Sequence, residues 1–174
     1  MRLNSYDFLA DHELIEALGP GSKPLDCHED CILFMQGEEP AGVYVVQSGE
    51  AALVMRSDSG GVVMCVEAGP GSILGLPGAI ANQPYSMTAL ARSGSRTKFT
   101  TSNELRELLA ANPALYPPIL KLLAAEVRGA RQAILDSTGS GSLISVTSIH
   151  ADEDVPFSAI IPPPTMPKQA KART

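Results

Sequence analysis

Between residues 22 and 100 no single periodicity lasts long enough to build a helix. Apolar clusters of four to eight residues alternate with glycine turns: CILFMQGEEP, GVYVVQSGEAALVMRS, DSGGVVMCVEAGPG, SILGLPG, SMTALARSG and TKFT. Val and Ile are frequent in these clusters. Short strands spaced by about 8–12 residues and separated by turns specify a β-sandwich or barrel. Asp58-Ser59-Gly60-Gly61 reads as a hairpin loop between two of them, because glycine reaches φ > 0 without a Cβ clash. The 15 glycines and 14 prolines in 174 residues fit a chain that turns this often.

Both ends of this stretch change texture. Residues 7–18, DFLADHELIEAL, read as a helix with Asp11 as N-cap, an apolar stripe at Leu14, Ile15 and Leu18, and a stop at Gly19-Pro20. At 101 the period becomes helical again. Thr101 and Glu104 make a capping box, and Leu105, Leu108 and Leu109 form one face before Asn112-Pro113. Pro117-Pro118 suit the first turn of a further helix, where a missing N–H costs little. In that helix Leu120, Leu123, Val127, Ala130 and Ile134 alternate spacings of 3 and 4, a heptad seam. Ile119, Leu122 and Leu135 lie off the seam. Two uses stay open: packing on the chain's own β-body, or one side for the body and one for a partner copy.

Beyond Asp136, Ser, Thr, Gly and Pro dominate, and residues 137–174 are expected to form a disordered tail. Within it LISVTSI suits an edge strand and VPFSAII a short docking motif. The expected division is a domain over 1–136, with a β-body at about 22–100 and helices at 101–111 and 114–136, followed by the tail.

Charge and chemistry narrow the function. A net charge of −6 gives no footprint for a phosphate backbone. No apolar run approaches the roughly 20 residues of a membrane span. MRLNSYDFLADHEL lacks a signal-peptide core, and three cysteines suit a reducing compartment, so a cytoplasmic protein is expected. Cys27-His28-Glu29-Asp30-Cys31 has zinc-type ligands, and Cys65 adds a thiol, but there is no second ligand pair; structural cysteines are the favoured reading and no metal is expected. His12, His28 and His150 do not pair, which argues against a metalloenzyme of rolled β architecture. There is no GxSxG, and GPGSILG lacks the Gly-Lys-Ser/Thr ending of a phosphate loop. No enzyme activity is expected.

Three motifs in register carry a resemblance. ILFMQGEEPAGVYVVQSGEAALV (32–54), EAGPGSILGL (67–76) and SNELRELLAANPALYPPIL (102–120) resemble, in order, the signature, ligand-loop approach and helical exit of the cyclic nucleotide-binding domain of the cyclic-AMP receptor protein superfamily. The match runs from about residue 7 to 136. It implies an α+β fold: an antiparallel β-roll, jelly-roll-like, flanked by an N-terminal helix and two C-terminal helices. It also implies that the loop Gly75–Ser86 is the phosphate-binding cassette, where a helical turn begins after the glycine and backbone N–H groups meet a cyclic phosphate.

The cassette departs from the family where charge matters. The family glutamate that bonds the ribose falls on Leu76, the phosphate-binding arginine falls on Tyr85, and Pro77 removes a backbone donor. Each charge-assisted contact is worth about 1.5–3 kcal/mol, so the expected loss is two or more orders of magnitude in affinity. The resemblance implies a ligand site at Gly75, Leu76, Pro77, Gly78, Tyr85, Ser86 and Met87 that takes a cyclic nucleotide or other small anion weakly. Tyr85 can stack on a planar ligand or offer its hydroxyl; the alternative is that Tyr85 and its neighbours fill the pocket. Arg92, Arg96 and Lys98 are the positive charges available to compensate.

The expected function is a ligand-sensing regulatory or signalling module, not an enzyme, dimerising through the helix at 117–136. A ligand-free dimeric scaffold for a protein partner is the alternative. The superfamily's transcription regulators continue into a winged helix-turn-helix; the 38 residues after Asp136 hold no such pattern, so no direct DNA binding is expected.

Overall fold

Strand alternation sorts the interior into two compartments. In β3 (Gly42–Ser48), Val43 and Val45 point to one side and Tyr44 and Val46 to the other. The first side receives the helices, and the second faces the inside of a roll. The computed structural model describes residues 12–138, with the side chains of 130 and 132–138 left aside. Asp11 and the turn at 7–11, the seam side chains Ala130 and Ile134, Leu135, and residues 139–174 with LISVTSI, VPFSAII and His150 lie outside the described residues.

Among the described residues eight strands form two four-stranded antiparallel sheets. One has the order β1 (Lys23–Asp26), β8 (Arg96–Thr101), β3, β6 (Ile73–Leu74). The other has the order β2 (Cys31–Phe34), β7 (Thr88–Ala91), β4 (Ala51–Arg56), β5 (Val62–Ala68). With helices at both ends this is the α+β roll of the expectation. The Asp58–Gly61 turn joins β4 to β5, with Gly60 at φ 87°.

Four helices complete the described residues: α1 (His12–Leu18), α2 (Leu76–Ala81), α3 (Ser102–Ala111) and α4 (Tyr116–Thr138), with a 3₁₀ turn at Pro113–Leu115. The helix expected from residue 114 thus begins at Tyr116, after that turn. The capping box at α3 is present. Thr101 Oγ1 accepts from the Glu104 N–H at 3.2 Å, and the Glu104 carboxylate accepts from the Thr101 N–H at 2.8 Å. The Thr101 N–H and hydroxyl both donate to the Glu104 carboxylate and hold it below its ordinary pKa.

The helix-side core gathers Leu14 and Leu18 of α1, Leu76 and Ala79 of α2, Leu105 and Leu109 of α3, and Ile119 and Leu122 of α4 on Val43, Val45 and Ile73. Ile119 and Leu122, the off-seam positions, face the body. The seam positions Leu120 and Val127 are 63% and 50% exposed. The roll-side core is built from Phe34, Val46, Leu74 and Tyr85 with the small residues Ala51, Ala68, Ala89 and Ala91. Cys27 and Cys31 form a disulfide across the β1–β2 turn, against the expectation of reduced cysteines drawn from their odd number. Cys65 is a free thiol whose pKa burial raises.

Candidate functional site

Gly75 turns the chain from β6 into α2 at φ 80°, a left-handed conformation that suits glycine. A second constraint acts on the same atom. An added Cβ would lie 2.8 Å from Tyr85 Cε1 and 3.2 Å from the Gly42 carbonyl oxygen. The backbone here is therefore pressed against the roll interior. Pro77 sits in the first turn of α2, where its missing N–H is tolerated. Leu76 and Ala79, three apart on one face of α2, are buried in the helix-side core. Leu76, expected beside the ligand, is placed away from the cavity, because α2 needs an apolar underside to dock on the sheet.

Tyr85 closes the loop from the other end. Its hydroxyl donates to the Gly42 carbonyl at 2.6 Å and accepts from the Gly42 N–H at 3.0 Å. Its own N–H donates to the Glu38 carbonyl at 2.9 Å, and its carbonyl accepts from the Gly37 N–H at 2.8 Å. The ring stacks on Phe34 with centroids 3.9 Å apart, and the residue is 3% exposed. Burial raises the phenol pKa, partly offset by the bonds to the Gly42 region. The hydroxyl that was expected to reach a ligand is thus committed to β3, and one ring face to Phe34.

These constraints leave a cavity of about 280 Å³ between the cassette loop, the second sheet and α4. Gly75, Pro77, Gly78, Tyr85, Ser86 and Met87 border it, six of the seven expected positions. The opposite wall comes from two strands. Leu53 pairs with Val66 and Met55 with Met64 across β4–β5, so all four side chains share one face and all four line the cavity. Glu126 and Val127 of α4 complete it.

The electrostatics differ from the expectation. Among the described residues no Lys or Arg lines the cavity. Arg92 pairs with Asp30 at 3.3 Å, Arg96 pairs with Asp26 at 2.6 Å, and Lys98 borders a separate hollow with Ile15, Leu18 and Gln47. The β7–β8 strands carry these side chains away from the cassette, so they do not compensate for the missing arginine. The one carboxyl in the lining is Glu126, pushed up to about 7 by burial.

Glu126, Met55 and Met64 are among the lining residues that motif reading missed. A signal for each existed. Ile119, Leu122 and Glu126 follow at spacings of 3 and 4, so a carboxylate continues the buried stripe of α4. Strict alternation over Leu53–Met55 and Met64–Val66 places those residues on one face. No group of three or more His, Cys, Asp or Glu capable of holding a metal occurs among the described residues. No single helix there is long and apolar enough to cross a membrane.

A family model described as Cyclic nucleotide-binding domain matches residues 25–112. The matched stretch contains the whole cassette and stops before α4. Solved structures with similar folds include the catabolite activator protein of Thermus thermophilus, with TM-score 0.63 and 22% identity over 74% of this chain and 60% of that one. A cyclic nucleotide-binding domain from Methylobacillus flagellatus KT gives TM-score 0.62 and 25% identity over 77% of each chain. The N-terminal domain of a transcriptional regulator from Streptomyces coelicolor A3(2) gives 0.54 and 24% over 80% of this chain and 97% of that one. This chain spans about three fifths of the length of the Thermus protein. No curated protein matches the sequence.

Proposed function

Because this chain belongs to the cyclic nucleotide-binding domain family, we propose that it is a cytoplasmic, non-enzymatic, ligand-sensing regulatory module whose cassette no longer grips a cyclic nucleotide tightly. The observation that carries this reading is the charge of the lining among the described residues: one carboxyl, Glu126, and no cation. A cyclic phosphate needs a positive partner or several free N–H groups. Here the position of the arginine holds Tyr85, whose hydroxyl is bonded to Gly42, and the position of the glutamate holds Leu76, buried under α2. The residues present do not fit a tightly bound cyclic nucleotide.

An open cavity of about 280 Å³ favours a sensor over the alternative, a ligand-free scaffold. The scaffold reading needs Tyr85 and Leu76 to plug that space, whereas Leu76 is turned away and Tyr85 forms one wall. The reading includes a homodimer through residues 117–136. The helix buries Ile119 and Leu122 on the body while exposing Leu120 and Val127. Val127 belongs to both the seam and the cavity lining, so an occupied cavity would bear on the helix that carries the dimer.

Isothermal titration of the full chain with cyclic AMP and cyclic GMP tests the cassette. Binding weaker than low micromolar is expected for both; low-micromolar affinity for either overturns the reading. Sedimentation tests the seam, with a dimer expected for the native chain and a monomer for Leu120→Glu/Val127→Glu.

A further inference from the structure

Glu126 is an unusual wall for a cavity of this kind. Its carboxyl has no hydrogen bond or ion pair among the described residues, and the half-buried residue lines the cavity from α4. Removing a carboxylate from water without a partner is costly, and a bound cation is what relieves the cost. Around it the lining is almost wholly apolar. Met55, Met64 and Met87 bring three polarizable thioethers, and Phe34 a ring, surfaces that favour a flat aromatic guest. Few polar groups remain to orient a ligand, since the Tyr85 hydroxyl is bonded to Gly42; the Ser86 side chain is one. A volume of about 280 Å³ lies near the lower end of ordinary small-molecule sites, enough for a bicyclic compound but tight for a nucleotide.

From this geometry we infer that the cavity receives a small aromatic molecule bearing one protonated amine, with the Glu126 carboxylate as its counter-ion. The ring lies among the methionines and the ammonium reaches α4. The assignment rests on the reading of the cavity as a ligand site, and it inverts the charge of the family's ligand: a cation toward the helix instead of an anion toward the cassette.

A matched indole series separates charge from shape. Tryptamine, its neutral analogue indole-3-ethanol, the anionic indole-3-propionate and cyclic AMP would be titrated into the full chain at about pH 8. There Glu126, with a pKa of about 7, is mostly ionised, and the amine keeps its proton. Tryptamine should bind at least about tenfold more tightly than indole-3-ethanol, and indole-3-propionate more weakly still. Glu126→Gln should erase the tenfold preference of tryptamine over indole-3-ethanol. Met64→Trp, which fills the cavity, should abolish binding of both.

Equal or tighter binding of the alcohol or the carboxylate overturns the amine assignment and leaves the ligand site standing. So does a tryptamine preference that survives in Glu126→Gln. If no member of the series and no cyclic nucleotide binds the native chain, the ligand-site reading fails together with this one.

Discussion

The two buried compartments on either side of β3 are built to different ends. The helix-side core is Leu on Leu: Leu14, Leu18, Leu76, Leu105, Leu109 and Leu122 close over Val43, Val45 and Ile73. The roll side is lined by Ala51, Ala68, Ala89 and Ala91, braced by Phe34 and Tyr85, and left partly hollow. It also keeps polar groups unsatisfied. The hydroxyls of Ser72 and Thr97, which flank Val46 across the sheet, are buried without a partner among the described residues. A chain selected only for stability would fill such a space, because close packing and satisfied polar groups both stabilise. One sheet therefore separates a compartment that holds the fold from a compartment that holds room.

The contrast predicts unequal costs for comparable changes. Leu105→Ala removes a fully buried side chain from the closed compartment and should destabilise by about 2–5 kcal/mol, read from urea denaturation. A loss below about 1 kcal/mol would mean that the helix-side core relaxes easily and the contrast is false. Tyr85→Phe comes next. It keeps the ring on Phe34 but strips the Gly42 N–H and C=O of the hydroxyl they share, and should cost about 1–3 kcal/mol. If the loss were nil while a ligand's affinity changed, Tyr85 would be a ligand group instead of a brace for the hollow.

The third change sharpens the contrast through pH. The Glu126 carboxyl titrates near 7 in the folded chain, against 4.5 for an exposed glutamate. The folded state thus binds its proton more tightly than the unfolded state does. Its contribution is fully present below about pH 4.5 and is lost as pH rises toward and through 7. That displacement corresponds to about 3 kcal/mol at 1.36 kcal/mol per pH unit, and partial solvent access reduces it to about 1–2 kcal/mol. Glu126→Gln carries no such charge. Its stability relative to the native chain should rise between about pH 4.5 and 7.5 by that amount, measured by urea titrations at several pH values. A flat difference would show that the carboxylate finds solvent or a partner, and the hollow would lose its charged wall.

What the sequence made legible follows from how local each signal is. The roll, the Thr101–Glu104 capping box and the Gly60 turn rest on neighbours within a few residues, and the structure shows each of them. The cassette glycine was read through the family resemblance, and the structure gives it φ 80° at the start of α2. Facing was not legible. Whether Leu76 looks into the cavity or under α2 depends on which side of β6 the helices cover, and that is decided by residues on α1, α3 and α4. Arg92 and Arg96 find Asp30 and Asp26 across 62 and 70 residues of chain, distances over which spacing carries no information. Tyr85 reaches Gly42 in the same way, 43 residues back. The helix stripe through Ile119 and Leu122 did contain Glu126, but a charge on a stripe reads as solvated until the opposing wall is known to be apolar.

The smallest expected effect is the most discriminating. Met64 lies on the wall facing the cassette, half-buried, with open space where a core residue would have a neighbour. Met64→Ala removes a longer side chain than a β-methyl truncation does, yet there is little packing on its cavity side to lose. Its cost should be about 1 kcal/mol or less, well under the figure for Leu105→Ala. Parallel urea titrations of the two variants decide the matter. Near-equal losses would mean that the thioether is packed as tightly as the leucine and that the hollow closes in solution. A small loss would leave the second compartment as an interior in which a side chain can be shortened at little expense because there is open space beside it.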